Sequence, residues 1–155
     1  MNEDKNTELQ KALIRASRYC AEQERSAFDI QKKLNQWGVP ESLHEIVIKK
    51  LKDENFIDDC RFARTFVRSK FRNNQWGKIK IAYALRQKQI SENIISESLD
   101  EINEEAYKET LKTLIQKKAK TTKAATDNEK KQKIAQAMAA KGFEADVVYE
   151  LVFRK

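Results

Sequence analysis

This sequence predicts an all-α fold of tandem three-helix units, and three observations carry that prediction. Only three Gly and one Pro occur in 155 residues, too few to punctuate hairpins and sheets. Apolar residues recur at intervals of three and four along nearly the whole chain, the spacing of a single buried helical stripe. The pattern also repeats: Leu34, Leu85 and Met138 share one register, as do Gly38, Gln89 and Gly142, and Val39, Ile90 and Phe143. Leu43, Ile94 and Val147 follow, then Ile48, Leu99 and Val152, always at offsets of 51 and 53 residues. Fixed offsets over several positions indicate stacked repeats, each covering its neighbour's apolar face. The expected division is a flexible N-terminus over 1–8, then units over 9–57, 58–103 and 104–155, forming an elongated, curved array.

In the first unit, Leu9, Ala12, Leu13, Ala16, Tyr19 and Cys20 mark one helix, and Ala27, Ile30, Leu34 and Trp37 a second. Ser26 with Asp29 forms a capping-box pattern in which Asp replaces the usual Glu or Gln. Gly38 suits a left-handed helix end, and Pro40 a new start. Leu43, Ile46, Val47 and Leu51 mark the third helix. The second unit opens on Ile57, Asp58 and Phe62 as staple residue, N-cap and N4 partner, with helix to about Phe71. Gly77–Gln89 forms the next helix, and Ser91 caps another with Ile90 and Ile95 as its staple. In the third unit Tyr107, Leu111, Leu114 and Ile115 define one helix. Ile134, Ala137 and Met138 define the next, and Val147, Val148, Leu151 and Val152 the last. Thr121–Asn128, polar and without periodicity, reads as a loop.

Charge is distributed unevenly. The chain carries a net +7, yet Arg61, Arg64, Arg68, Lys70, Arg72, Lys78, Lys80, Arg86 and Lys88 all fall between Cys60 and Ser91, which contains no Asp or Glu. On a helix, Arg61, Arg64, Arg68 and Arg72 lie within about 80° of arc, opposite Phe62, Ala63, Phe66 and Val67. They form a ridge about 16 Å long at 1.5 Å per residue. With no anion inside the segment, this ridge awaits an external one, and nucleic acid or an acidic surface beside it is the first expectation. Lys78, Lys80, Arg86 and Lys88 extend the positive region without sharing one face. Trp37 and Trp76 sit beside helix ends, where a Trp packs inward more often than it stacks on a base. The run from Lys112 to Lys133 is a second, weaker candidate surface, read first as a solvated segment.

Other classes of function find little support. Met1–Thr7 shows no apolar stretch of a secretory signal, and no apolar run approaches the roughly 18 residues of a membrane span. A cytoplasmic location is therefore expected. Cys20 and Cys60 have no ligand or redox spacing and read as unpaired thiols. His44, the only histidine, falls on an apolar helix face and reads as structural. Asp58 and Asp59 suit a helix N-terminus better than a metal site. No Gly-rich phosphate loop and no nucleophile with a base partner is present, so neither catalysis nor a cofactor or metal is expected.

The segment Asn55-Phe-Ile-Asp-Asp-Cys-Arg-Phe-Ala-Arg-Thr-Phe-Val-Arg68 resembles the signature of the RecX family of regulatory proteins. Arg25-Ser-Ala-Phe-Asp-Ile-Gln-Lys-Lys-Leu34 and Gly77-Lys-Ile-Lys-Ile-Ala-Tyr-Ala-Leu-Arg-Gln-Lys-Gln-Ile90 support it. The likeness is good over about residues 10–102 and looser beyond, where Lys141-Gly-Phe143 and the following helix match. Asn55 and Gln89 stand where that family commonly has Gly, and Cys60 where it commonly has another residue type. The resemblance implies a curved array of three-helix units without catalytic residues or cofactor. It further implies a monomer that binds in the groove of the RecA filament on single-stranded DNA, restraining RecA in DNA repair and the SOS response. The rival reading is a helix-turn-helix-like regulator of duplex DNA, disfavoured because the helices after Pro40 and Ser91 begin with Glu41 and Glu92. A scaffold for acidic proteins is a third.

Overall fold

In the computed structural model, which describes residues 2–154, nine helices and no strand are present among the described residues. Unit 1 comprises α1 (Asn2–Glu22), α2 (Ala27–Gln36) and α3 (Glu41–Asp53). Unit 2 comprises α4 (Asp59–Asn74), α5 (Lys78–Gln87) and α6 (Glu92–Asp100), and unit 3 comprises α7 (Glu104–Thr121), α8 (Asp127–Ala140) and α9 (Ala145–Phe153). The helices pack chiefly within their own unit. A compact 18.1 kDa protein would expose about 8,100 Å². This one exposes 10209 Å², as expected of an extended array.

The start signals act as the sequence suggests. Ser26 Oγ accepts from the Asp29 N–H (3.1 Å) while the Asp29 carboxylate accepts from the Ser26 N–H (3.0 Å), so the shorter Asp completes the box. Asp58 accepts from the Arg61 N–H at 3.1 Å and Ser91 from the Ile94 N–H at 3.4 Å. Three boundaries differ from expectation. Helix α1 already begins at Asn2, because Glu3 and Asp4 in its first turn complement the helix dipole where no apolar stripe is needed. The segment 2–8, expected to be flexible, is therefore helical, and Met1 lies outside the described residues. Helix α4 continues past Phe71 to Asn74 and ends on Gln75 at φ 55°. The expected loop narrows to residues 122–126, since Thr126 accepts from the Glu129 N–H (3.1 Å) and starts α8.

The repeat register is physical. Gly38, Gln89 and Gly142 all end their second helix at positive φ: 72°, 59° and 96°. Asn55 is also left-handed, at 64°. Asn and Gln at such positions bear a Cβ penalty that Gly avoids. One residue after Leu43, Ile94 and Val147 stand His44, Ile95 and Val148, and all three of these side chains are buried. His44 takes an aliphatic position only because its ring is satisfied: Gln31 Nε2 donates to Nδ1 (2.6 Å) and Nε2 donates to the Val39 carbonyl (2.8 Å). The carbonyl can only accept, which fixes the tautomer.

The cores are not one per unit. Ala12, Ala16, Ile30, Leu34, Val47, Leu51 and Ile57 form a cluster belonging to unit 1. Units 2 and 3 share a single larger one, running from Phe62 through Ile81, Leu85 and Tyr107 to Met138, Phe143 and Val148.

Candidate nucleic-acid interface

The buried underside of α4 is as the sequence suggests: Phe62, Ala63 and Val67 are buried and turn Arg64, Arg68 and Arg72 outward, all exposed. These three have no ion-pair partner among the described residues. Arg61 differs. Its Nε donates to Glu24 at 2.6 Å, and its terminal nitrogen donates to the carbonyls of Asn55 (3.1 Å) and Phe56 (3.4 Å). The hydrogen bond it donates to Glu24 raises the guanidinium's affinity for its proton above the ordinary value.

The expectation that the positive segment awaits an anion from another molecule is thus corrected for four of its residues, Arg61, Lys78, Arg86 and Lys88. The acids come from outside residues 60–91. Lys88 Nζ donates to Asp29 at 2.6 Å, Lys78 Nζ lies 3.8 Å from Glu104, and Arg86 Nε donates to Glu92 at 2.5 Å. Burial, the largest influence on the Asp29 carboxyl, pushes its pKa up. The hydrogen bonds from Lys88 and the Ser26 N–H outweigh it, and the net shift is downward. Lys80 is exposed and has no carboxylate partner among the described residues; its ammonium lies 4.5 Å from the Trp76 ring centroid. Trp76 itself is half-buried against the shared core, and Trp37 sits edge-on to Tyr19 under Arg15. Both packing readings hold. Cys20 is half-buried, and burial pushes its thiol pKa up, as suits an inert side chain.

Beside the three free arginines runs a groove of about 190 Å³ between α4 and the α6–α7 turn. Sequence alone does not reveal it, because Ile102 and Asn103 lie some thirty residues from α4 and meet it only through unit packing. Two family descriptions match the chain: "RecX, second three-helix domain" over residues 58–99 and "RecX, third three-helix domain" over residues 105–152. The regulatory protein RecX of Prosthecochloris aestuarii is 37% identical over 101 residues, covering 65% of this chain and 67% of that protein. The chain belongs to the RecX family. The regulatory protein RecX of Limosilactobacillus reuteri is 34% identical over 142 residues, which are 92% of this chain but 53% of the relative. The chain thus spans about half the length of several curated RecX relatives. A crystal structure of regulatory protein RecX superposes with a TM-score of 0.89 at 31% identity, covering 98% of this chain and 74% of that one. RecX from Lactobacillus salivarius gives 0.86 at 26% identity, covering 95% and 96%. Such relatives are named as regulatory proteins. No helix among the described residues is long and apolar enough to cross a membrane.

Proposed function

We propose that this chain binds the RecA filament assembled on single-stranded DNA and restrains it, damping strand exchange, ATP hydrolysis and co-protease function in DNA repair and the SOS response. It acts as a monomer in the cytoplasm and does no chemistry of its own. One observation carries the reading: Arg64, Arg68 and Arg72 stand in a row on one helix with no ion-pair partner among the described residues. Arginine forks onto phosphate bidentately, so the row suits a succession of backbone phosphates. Units flanking the row extend the contact across neighbouring RecA protomers, and linked contacts raise one another's effective concentration. The duplex reading gains nothing, since the α6 start presents Glu92, already engaged by Arg86.

The test replaces Arg64, Arg68 and Arg72 together by Gln. The log–log salt slope of single-strand binding should fall by about 2, at roughly 0.7 per lost phosphate contact, and inhibition of RecA ATPase and of filament length should weaken in parallel. An unchanged slope with unchanged inhibition removes the row from the mechanism.

A further inference from the structure

We infer that the groove between α4 and the α6–α7 turn receives one unstacked base of the single strand whose phosphates meet Arg64, Arg68 and Arg72. This deepens, and rests on, the single-strand reading above.

The lining has the chemistry of a base site. Val67 and Phe71 from α4, with Ile102 and Ala106 from the far wall, give it an apolar floor. The three arginines form one rim, and splayed bases stack on guanidinium planes as well as on aromatic rings. On the opposite rim are Glu101 and Asn103. Asn103 Oδ1 is engaged in accepting from the Ala106 N–H (3.0 Å), which leaves its amide N–H groups to donate. Glu101 has no ion-pair partner among the described residues and offers acceptors for an exocyclic amine. At about 190 Å³ the space falls short of the roughly 300 Å³ at which pockets enclose whole ligands, and suits a heterocycle whose sugar and phosphate stay outside.

The same lining argues against the other occupants. A phosphate inside the groove would face the Glu101 carboxylate at close range, whereas on the arginine rim it would not. A wholly aliphatic side chain from a protein partner would desolvate Glu101 and Asn103 without pairing them, which is costly. A base satisfies floor and rim together. A base within a duplex is stacked and paired and cannot enter, so the groove gives a physical reason for preferring single strands.

The decisive variant is Ala106→Phe, which fills the groove from an exposed position without altering charge; far-UV circular dichroism checks its fold. The probes are a fluorescent oligodeoxythymidylate and an abasic strand of equal length, read by anisotropy across salt. The unaltered chain should bind the intact strand about 5- to 150-fold more tightly than the abasic one, the range for stacking one base. Ala106→Phe should reduce that ratio by at least 5-fold while leaving the salt slope unchanged. Equal binding of both strands, a ratio untouched by Ala106→Phe, or no binding of either strand would overturn the inference. So would an Ala106→Phe variant that weakens RecA binding without DNA while keeping both strand affinities, since the groove would then hold a protein side chain. The Arg64, Arg68 and Arg72 triple variant reports separately: a lowered slope with equal strand affinities sinks the base site and leaves the phosphate contact standing.

Discussion

The two joints of this array occupy equivalent places in the repeat and are made of different chemistry. Between units 1 and 2 the contacts are charged: Arg61 with Glu24, Lys88 with Asp29, and the Ala27 N–H donating to Asp59 at 3.0 Å. Between units 2 and 3 the backbones themselves meet. The Gly77 N–H donates to the Lys141 carbonyl (2.8 Å), the Ile79 N–H to the Gly142 carbonyl (2.9 Å), and the Lys78 N–H to the Tyr107 hydroxyl (2.9 Å). Ser26 and Gly77 are 51 residues apart and both precede the second helix of their unit. Ser26 caps its own helix. Gly77 has no side chain to do so, and unit 3 supplies the acceptors for the orphan amides of α5 instead. One joint is therefore ionic and separable from the apolar core of unit 1, while the other is fused into a core common to both units.

The largest effect should come from breaking the fused joint. A Cβ on Gly77 would lie 2.2 Å from the Gly142 carbonyl carbon, and one on Gly142 would lie 2.3 Å from Lys80 Cβ, at a φ of 96°. Backbone against backbone cannot yield without separating the units. Gly77→Ala or Gly142→Ala should each cost about 2–4 kcal/mol, read by urea unfolding. Gly38→Ala is the control. It has the same left-handed turn, at φ 72°, but open space around its Cβ, so only the conformational penalty of about 1–2 kcal/mol remains. Equal losses at Gly38 and Gly142 would mean that close approach contributes nothing.

Next is Tyr107, which holds the fused joint from the side. Its buried hydroxyl donates to Glu144 and accepts from the Lys78 N–H. Tyr107→Phe leaves both without that partner and should cost about 1–3 kcal/mol, seen as a lower unfolding midpoint for units 2 and 3. The ring's packing on Phe71 and Phe143 would be retained, so a loss no larger than that of Tyr149→Phe, an exposed tyrosine, would refute the role of the hydroxyl.

The repeat was legible in the sequence because it rests on local rules: helical spacing, caps and left-handed ends act within one unit. The register alone makes Gln89 the equivalent of two glycines, and all three have positive φ. The joints were not legible. Nothing within residues 60–91 reveals that Glu24 and Asp29 approach Arg61 and Lys88, since that depends on how one unit sits on the next. The one available signal was Gly77 in the place of Ser26, a helix start stripped of its hydroxyl. For the candidate site, the outward row Arg64, Arg68 and Arg72 was readable from helical geometry, and its neighbouring groove was not.

The ionic joint should respond to pH and the fused one in the opposite range. Asp29's folded pKa lies below its ordinary value of 3.8. Its contribution is therefore complete above pH 3.8 and is lost as pH falls through the lower folded value. Tyr107 is shifted the other way, chiefly by burial and then by Glu144, from an ordinary value of 10.0. Its contribution is complete below pH 10 and is lost as pH rises through the raised folded value. Single-tryptophan variants retaining Trp37 or Trp76 can report the two ends of the array. Lys88→Ala should remove about 1 kcal/mol, a modest figure because the pair is partly solvated, and should weaken the acid response of unit 1, the remainder being held by the Ser26–Asp29 capping box. An acid transition unchanged in Lys88→Ala would show that another carboxylate governs it.

The smallest effect tests whether the ionic joint shares a residue with the proposed nucleic-acid surface. Arg61 continues the row of Arg64, Arg68 and Arg72 along α4, but Glu24 occupies it. Glu24→Gln should lower stability by only about 0.2–1 kcal/mol. It should also free one guanidinium, steepening the salt slope of single-strand binding by up to about 0.7. Arg61→Gln in the otherwise unaltered chain should change that slope by less, because the residue it removes is already neutralised. If Arg61→Gln instead lowers the slope by a full 0.7, the pair with Glu24 must break on binding, and the joint between units 1 and 2 opens when DNA is engaged. No slope change in either variant would confine Arg61 to the joint, leaving three arginines as the whole of the row.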